Sequence, residues 1–289
     1  ICEQLIGGGH DESFIHLDLF AIALLRGNQQ SLTREHEWAQ KHPGSTAMLY
    51  AQAQNDAAMG KIKQSTKVFE QIARQQAASG QTETAAYTLI VSAEINSEMG
   101  RTAVAKQESE EALKYSKNEN EMALGISALI AIRAGDEKRA RVLFDDLDRK
   151  YPLSTFNIGV YSPIIRTMLA ISHGSSVTEV TNLMDPARPY ELGAVADMLP
   201  IYVRGVSYLK VHSPTEAARE FQNILDHHSV DAVTTLYPLA QLGLARSYAL
   251  SGKTAESRRA YQVFFTLWKD ADHDLPILMQ ARREFQELN

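Results

Sequence analysis

The chain holds one cysteine, Cys2, in 289 residues. A single thiol excludes an internal disulfide and fits a reducing compartment, so a cytoplasmic location is expected. Nine prolines are scattered without a Pro- or Ser-rich linker, so composition marks no domain boundary. No apolar run approaches the roughly 20 residues that a membrane span requires, and no membrane partner is expected. Basic residues are outnumbered, 29 Lys and Arg against 35 Asp and Glu, for a net charge of −6. A phosphate-binding face needs a basic stripe, so nucleic acid is not expected as a partner. No segment alternates apolar and polar residues at period two for long enough to predict a strand. The first residue is Ile1 rather than methionine, and a longer parent chain is expected.

Hydrophobic residues make up 44% of the chain, ample for a core. Their arrangement is plainest from Leu124 to Pro152. Taking Gly135 as a turn, Ala128 lies seven residues before it; Ala140, Phe144, Leu147 and Pro152 lie five, nine, twelve and seventeen after it. This small–turn–small–aromatic–apolar–proline spacing is that of a tetratricopeptide repeat, a helix–turn–helix unit of about 34 residues. Small residues let two antiparallel helices approach closely, Phe144 is expected to fill the seam, and Pro152 stops the second helix. One such pair leaves an apolar face open and must stack on further copies.

The same pattern recurs along the chain. Turns are predicted at Gly27, Gly60, Gly100, Gly135, Gly174, His212 (where glycine is expected) and Gly252, spaced by 33 to 40 residues. The surplus over 34 predicts lengthened helices or connections. Residues 1–10, with Gly7, Gly8 and Gly9, read as a flexible lead-in. Residues 11–289 read as a single solenoid. Pro43 stops the first pair, Ser45 caps the next helix, and Pro186 and Pro189 shorten the second helix of the fifth pair. The fold class is all-α: a right-handed superhelix of seven helix pairs plus a capping helix over 275–288.

Candidate chemistry is sparse. Gly7–Gly9 has neither a preceding strand nor a following Gly-Lys-Ser/Thr, so it is no phosphate loop. His36-Glu37 begins a zinc-protease motif, but Gln40 stands where the second histidine belongs. His227 and His228 point about 100° apart on a helix and read as solvent histidines at a helix end. Asp270, Asp272 and Asp274 imitate the start of a calcium loop, yet Leu275 and Ala281 occupy its glycine and glutamate positions. Asp274 reads instead as the cap of the last helix, with Pro276 in its first turn and Trp268 plugging the seam beneath. No catalytic constellation, metal site or cofactor is expected.

From Tyr190 onward the chain resembles the C-terminal repeat region of acidobacterial eukaryotic-like serine/threonine protein kinases. The residues are Tyr190-Glu191-Leu192-Gly193, YVRGVSYL at 202–209, AAREFQNILDHH at 217–228, and LAQLGLARSYALSGKTAESRRAYQVFFTLWKDADHDLPIL at 239–278. Ser229 and His273 depart from that pattern, both in predicted loops. The resemblance implies a regulatory or scaffolding tail and brings no kinase motif with it. A similar tail follows winged-helix DNA-binding domains in some regulators, so an effector region is an alternative, as is a small-molecule-sensing repeat domain. Tetratricopeptide arrays line their concave face with the first helix of each pair. Here that face would carry Tyr50, Gln54, Tyr87, Glu94, Tyr161, Tyr202 and Arg246. Members that clamp a partner's C-terminal carboxylate use lysine and asparagine at inward positions filled here by Tyr50 and Gln54, then Ile90 and Glu94, so that mode is excluded. The groove suits a peptide with hydrophobic anchors, or else these side chains are packing in a tightly wound superhelix. The partner expected is a protein or peptide.

Overall fold

The computed structural model describes residues 2–42, 44–193 and 196–288. Pro43 and Ile1 lie outside the described residues. Among the described residues the chain forms α-helices and no strand. They are α1 (Cys2–Gly7), α2 (Ser13–Leu25), α3 (Gln29–Lys41), α4 (Thr46–Ala58), α5 (Ile62–Ala78), α6 (Thr82–Glu98), α7 (Thr102–Tyr115) and α8 (Glu121–Arg133). There follow α9 (Glu137–Lys150), α10 (Ser162–Ser172), α11 (Val177–Met184), α12 (Leu199–Lys210), α13 (Pro214–Asp226), α14 (Leu236–Leu250), α15 (Thr254–Leu267) and α16 (Pro276–Glu287). From α2 to α15 they pair in order, giving seven antiparallel pairs, with α16 beyond them.

The turns explain the pairing. All seven expected turn residues adopt positive φ, including His212 at 55°. After α8 the Gly135 amide donates to the Ile132 carbonyl and the Asp136 amide to that of Ala131, which closes the helix end. Asp136 then accepts from the Arg139 amide at 3.1 Å and opens α9. At His212 the same bonds form, Ser213 to Tyr208 at 2.8 Å among them. A non-glycine left-handed residue is held because the turn around it satisfies its backbone.

The pair seams are built from small residues. Ala128 and Ala140 are fully buried. Ala140→Trp is therefore expected to lower the unfolding free energy by about 1–3 kcal/mol through overpacking, measured by urea denaturation. Phe144 packs against the core from its edge without being fully enclosed. It is half-buried, with the Arg166 guanidinium 5.4 Å from its ring, while Leu143 and Leu147 take the buried positions.

Other expectations need correction. Within the stretch read as a flexible lead-in, Cys2–Gly7 forms a short helix, and its Glu3 meets Arg34 of α3. Ser45 stands at the N-cap of α4, but its hydroxyl donates to Ser13 instead of capping. Asp274 does not cap α16; it pairs with Lys63 Nζ at 2.7 Å, and Leu275 holds the cap position with its backbone alone. His228 is half-buried and stacks on Tyr237 at 3.8 Å. In the fifth pair, Asn157–Tyr161 forms a π-helical turn leading into α10, a feature no periodicity predicts.

The superhelix closes on itself. Trp268, 2% exposed, donates its indole N–H to the Ala58 carbonyl at 2.9 Å. The Asp272 amide donates to the Gly60 carbonyl at 3.0 Å, and the Asp272 carboxylate accepts from the Lys63 amide at 2.8 Å. Gly60 admits this contact for two reasons. Its φ is +76°, and a Cβ there would lie 2.5 Å from that of Ala271. Higher in the same seam, Val233 packs on the small cluster of Phe20, Ala39, Met48 and Ala51. The sixth and seventh pairs thus meet the first and second, and the inner helices enclose a chamber.

Candidate functional site

The chamber has a volume of about 310 Å³. Helix α4 contributes Tyr50 and Gln54, and α6 contributes Tyr87, Glu94 and Glu98. The π-helical turn contributes Tyr161, and the links before α12 and α14 contribute Asp197 and Asp231. Residues four apart on α6 share a face, which brings Glu94 and Glu98 to one wall. Tyr161 has its place because α8 carries Gly125 opposite: a Cβ there would lie 2.5 Å from the tyrosine ring. Asp197 and Met198 both take left-handed backbone, φ 43° and 63°.

Five of the seven residues expected on the concave face therefore meet in one space: Tyr50, Gln54, Tyr87, Glu94 and Tyr161. Tyr202 does not join them. It lines an adjacent cavity of about 560 Å³ beside Glu98, Arg133 and Lys210. Arg246 is engaged elsewhere: its Nε donates to Glu284 of α16 at 2.9 Å, and the Tyr261 hydroxyl donates to the same carboxylate at 2.8 Å.

The aromatic rings are ordered from inside to mouth. Tyr50 packs edge-on against Phe69 at 5.1 Å and stacks near Tyr87 at 6.2 Å. Tyr87 and Phe156 are 44% and 41% exposed and flank the opening. The walls are acidic. Glu98 Oε2 accepts from the Thr235 hydroxyl at 3.1 Å. Its Oε1, that of Glu94 and the Tyr50 hydroxyl are buried with no hydrogen-bond partner among the described residues. The Arg133 guanidinium comes no closer to Glu98 than 3.9 Å. Burial, reinforced by Glu98, pushes the Glu94 carboxyl up to about 8. Burial next to Asp231 does the same for Asp197. Burial also raises Glu98, and it raises Tyr202, in the adjacent cavity, to about 12. Among the described residues no three His, Cys, Asp or Glu side chains group as metal ligands.

Sequence reading missed Glu98, Asp197 and Asp231. Glu98 follows Glu94 by one helical turn, a signal that was available; the two aspartates lie in links whose path no helical periodicity fixes. It also missed the buried network of α6 and α7, where Glu108 accepts from the Ser92 hydroxyl at 2.6 Å and from Asn96 Nδ2 at 2.9 Å. Burial pushes Glu108 up to about 7. A carboxyl raised in the folded state stabilises below its unfolded value near 4.5, and that stabilisation is lost as pH rises through 7. With Glu94 and Asp197 acting in the same sense, unfolding free energy is expected to fall by roughly 3 kcal/mol or more between pH 5 and pH 8. Denaturant titrations across that range measure it, and Glu108→Gln flattens the slope.

No protein-family model and no curated protein matches the chain. Among solved structures, a tetratricopeptide repeat protein from Parabacteroides merdae superposes with a TM-score of 0.50 at 13% identity, over 94% of this chain and 99% of that one. The P58(IPK) tetratricopeptide domain aligns over 99% of this chain and 91% of its own, at 14% identity and a TM-score of 0.31. No helix among the described residues is long and apolar enough to cross a membrane. The chain has a tetratricopeptide-like, all-helical solenoid fold.

Proposed function

We propose that the chain is a non-catalytic interaction module of a cytoplasmic signalling protein, receiving part of a protein partner in its central chamber. One observation carries the reading. Tyr50, Tyr87, Glu94, Tyr161 and Asp197 come from four separate segments and converge on a single opening, whereas residues kept only for packing need not leave buried polar atoms unpaired. The resemblance of the last hundred residues adds a context, the repeat tail of a serine/threonine protein kinase. Enclosure by Trp268 and Asp272 favours a second reading. A chamber this size takes a side chain or chain end, or a small molecule to be sensed, in place of a long extended peptide.

The test is a displayed random-peptide selection on the purified protein, followed by affinities of the selected peptide for Tyr87→Ala and Tyr50→Ala. Tyr87 stands at the mouth, half-exposed, so its truncation leaves the fold intact. A loss of tenfold or more is expected. Equal affinity for wild type and both folded variants would place binding outside the chamber.

A further inference from the structure

Apart from its tyrosines, the chamber's ionisable lining consists of acids alone. Glu94, Glu98, Asp197 and Asp231 line it, and no Lys, Arg or His among the described residues does. We propose that it binds a primary ammonium or guanidinium group, carried either by a free aliphatic amine or by a lysine or arginine side chain of a partner. This deepens the preceding proposal and rests on the chamber being the point of entry.

Three features beyond the cluster of acids point to that chemistry. The Glu98 side chain is 3% exposed, yet its Oε1 has no hydrogen-bond partner, and Glu94 Oε1 is buried in the same condition. Acceptors left this way call for N–H donors, which a primary ammonium or guanidinium supplies and a quaternary ammonium does not. The rings of Tyr50, Tyr87 and Tyr161 offer π-faces to a cation. Val91, Ile95 and Leu199 offer hydrocarbon to the alkyl stem that carries it. A bare metal ion fits less well, because the carboxylates are not grouped as a ligand set. Arg133, the nearest cation, serves the adjacent cavity and stands 3.9 Å from Glu98, too far for a hydrogen bond. The raised carboxyls of Glu94 and Asp197 agree: burial and the neighbouring acids outweigh the distant Arg133, and an entering cation would favour their charged forms.

The experiment is calorimetric titration of the purified protein with three probes: 1,5-diaminopentane, an acetylated and amidated Gly-Lys-Gly peptide, and the same peptide with norleucine for lysine. Binding of the diamine or the lysine peptide is expected, with the norleucine peptide at least tenfold weaker. Glu98→Gln is expected to weaken the bound probe at least tenfold. Asp231→Asn, in a link outside the helices, gives a second reading if Glu98→Gln does not fold. Diamine binding alone assigns a small-molecule source, and lysine-peptide binding assigns a protein. Failure of both amines at millimolar concentration overturns the cationic assignment. So does equal binding of the norleucine peptide, or unchanged affinity in folded Glu98→Gln and Asp231→Asn. If a selected peptide without basic residues still loses affinity on Tyr87→Ala, the interaction reading stands while the cationic one fails. If Tyr87→Ala leaves that peptide unaffected, both fail.

Discussion

Trp268→Ala is expected to lower the unfolding free energy by about 3–5 kcal/mol, the largest loss for any single truncation of an aromatic side chain in this chain. The ring is 2% exposed and lies 4.7 Å from Phe264. Its removal opens a cavity and leaves the Ala58 carbonyl without its donor. Tryptophan occurs only twice, at Trp38 and Trp268, so the variant also simplifies the fluorescence of the unfolding transition. Phenylalanine at 268 separates the two contributions. It restores most of the volume but not the hydrogen bond, and is expected to recover more than half of the loss. A midpoint unchanged in Trp268→Ala would mean that the C-terminal pair does not rest on the second. Gly60→Ala tests the contact from its other side, because a methyl group there meets Ala271 and the strained φ persists.

Arg204→Ala is expected to cost a similar amount, about 3–5 kcal/mol. The guanidinium is fully buried on α12, donating to Glu191 at 2.9 Å and Glu220 of α13 at 2.6 Å. Both carboxylates are themselves shielded, their side chains 12% and 13% exposed. Without the arginine they repel one another in a poorly hydrated seam. Arg204→Met combined with Glu191→Gln and Glu220→Gln is expected to be far milder than Arg204→Ala alone, because no uncompensated charge remains. Equal destabilisation by the two variants, compared by urea denaturation, would assign the loss to the hydrogen bonds of the guanidinium instead of to stranded charge.

The helices and their pairing were legible because each turn announces itself. A small residue before the turn, glycine in it and a polar starter after it are local signals, and local chemistry decides them. The inward residues of α4 and α6 followed from counting back from Gly60 and Gly100. What could not be read was long-range. Nothing near Trp268 says that its indole meets a carbonyl 210 residues away. The fate of Arg246 depended on where α16 would lie, and α16 carries no repeat to compare it with. The π-helical turn at Asn157–Tyr161 rests on Gly125 and Gly159 accepting neighbouring rings, a packing condition invisible to spacing. Asp274 shows the same limit: a residue in a good capping position bonds Lys63 because the rest of the chain brings it there.

The contact between Trp268 and Ala58 also has a kinetic meaning. An array that touches only adjacent pairs has low contact order and folds fast from wherever a pair first forms. Here the final seam joins segments some two hundred residues apart, and the entropy of bringing them together is met only after the intervening pairs are in place. The last pair is then the last to dock and the first to detach. Amide exchange in α15 and α16 is expected to report that detachment as a faster step than the opening of α6 to α9.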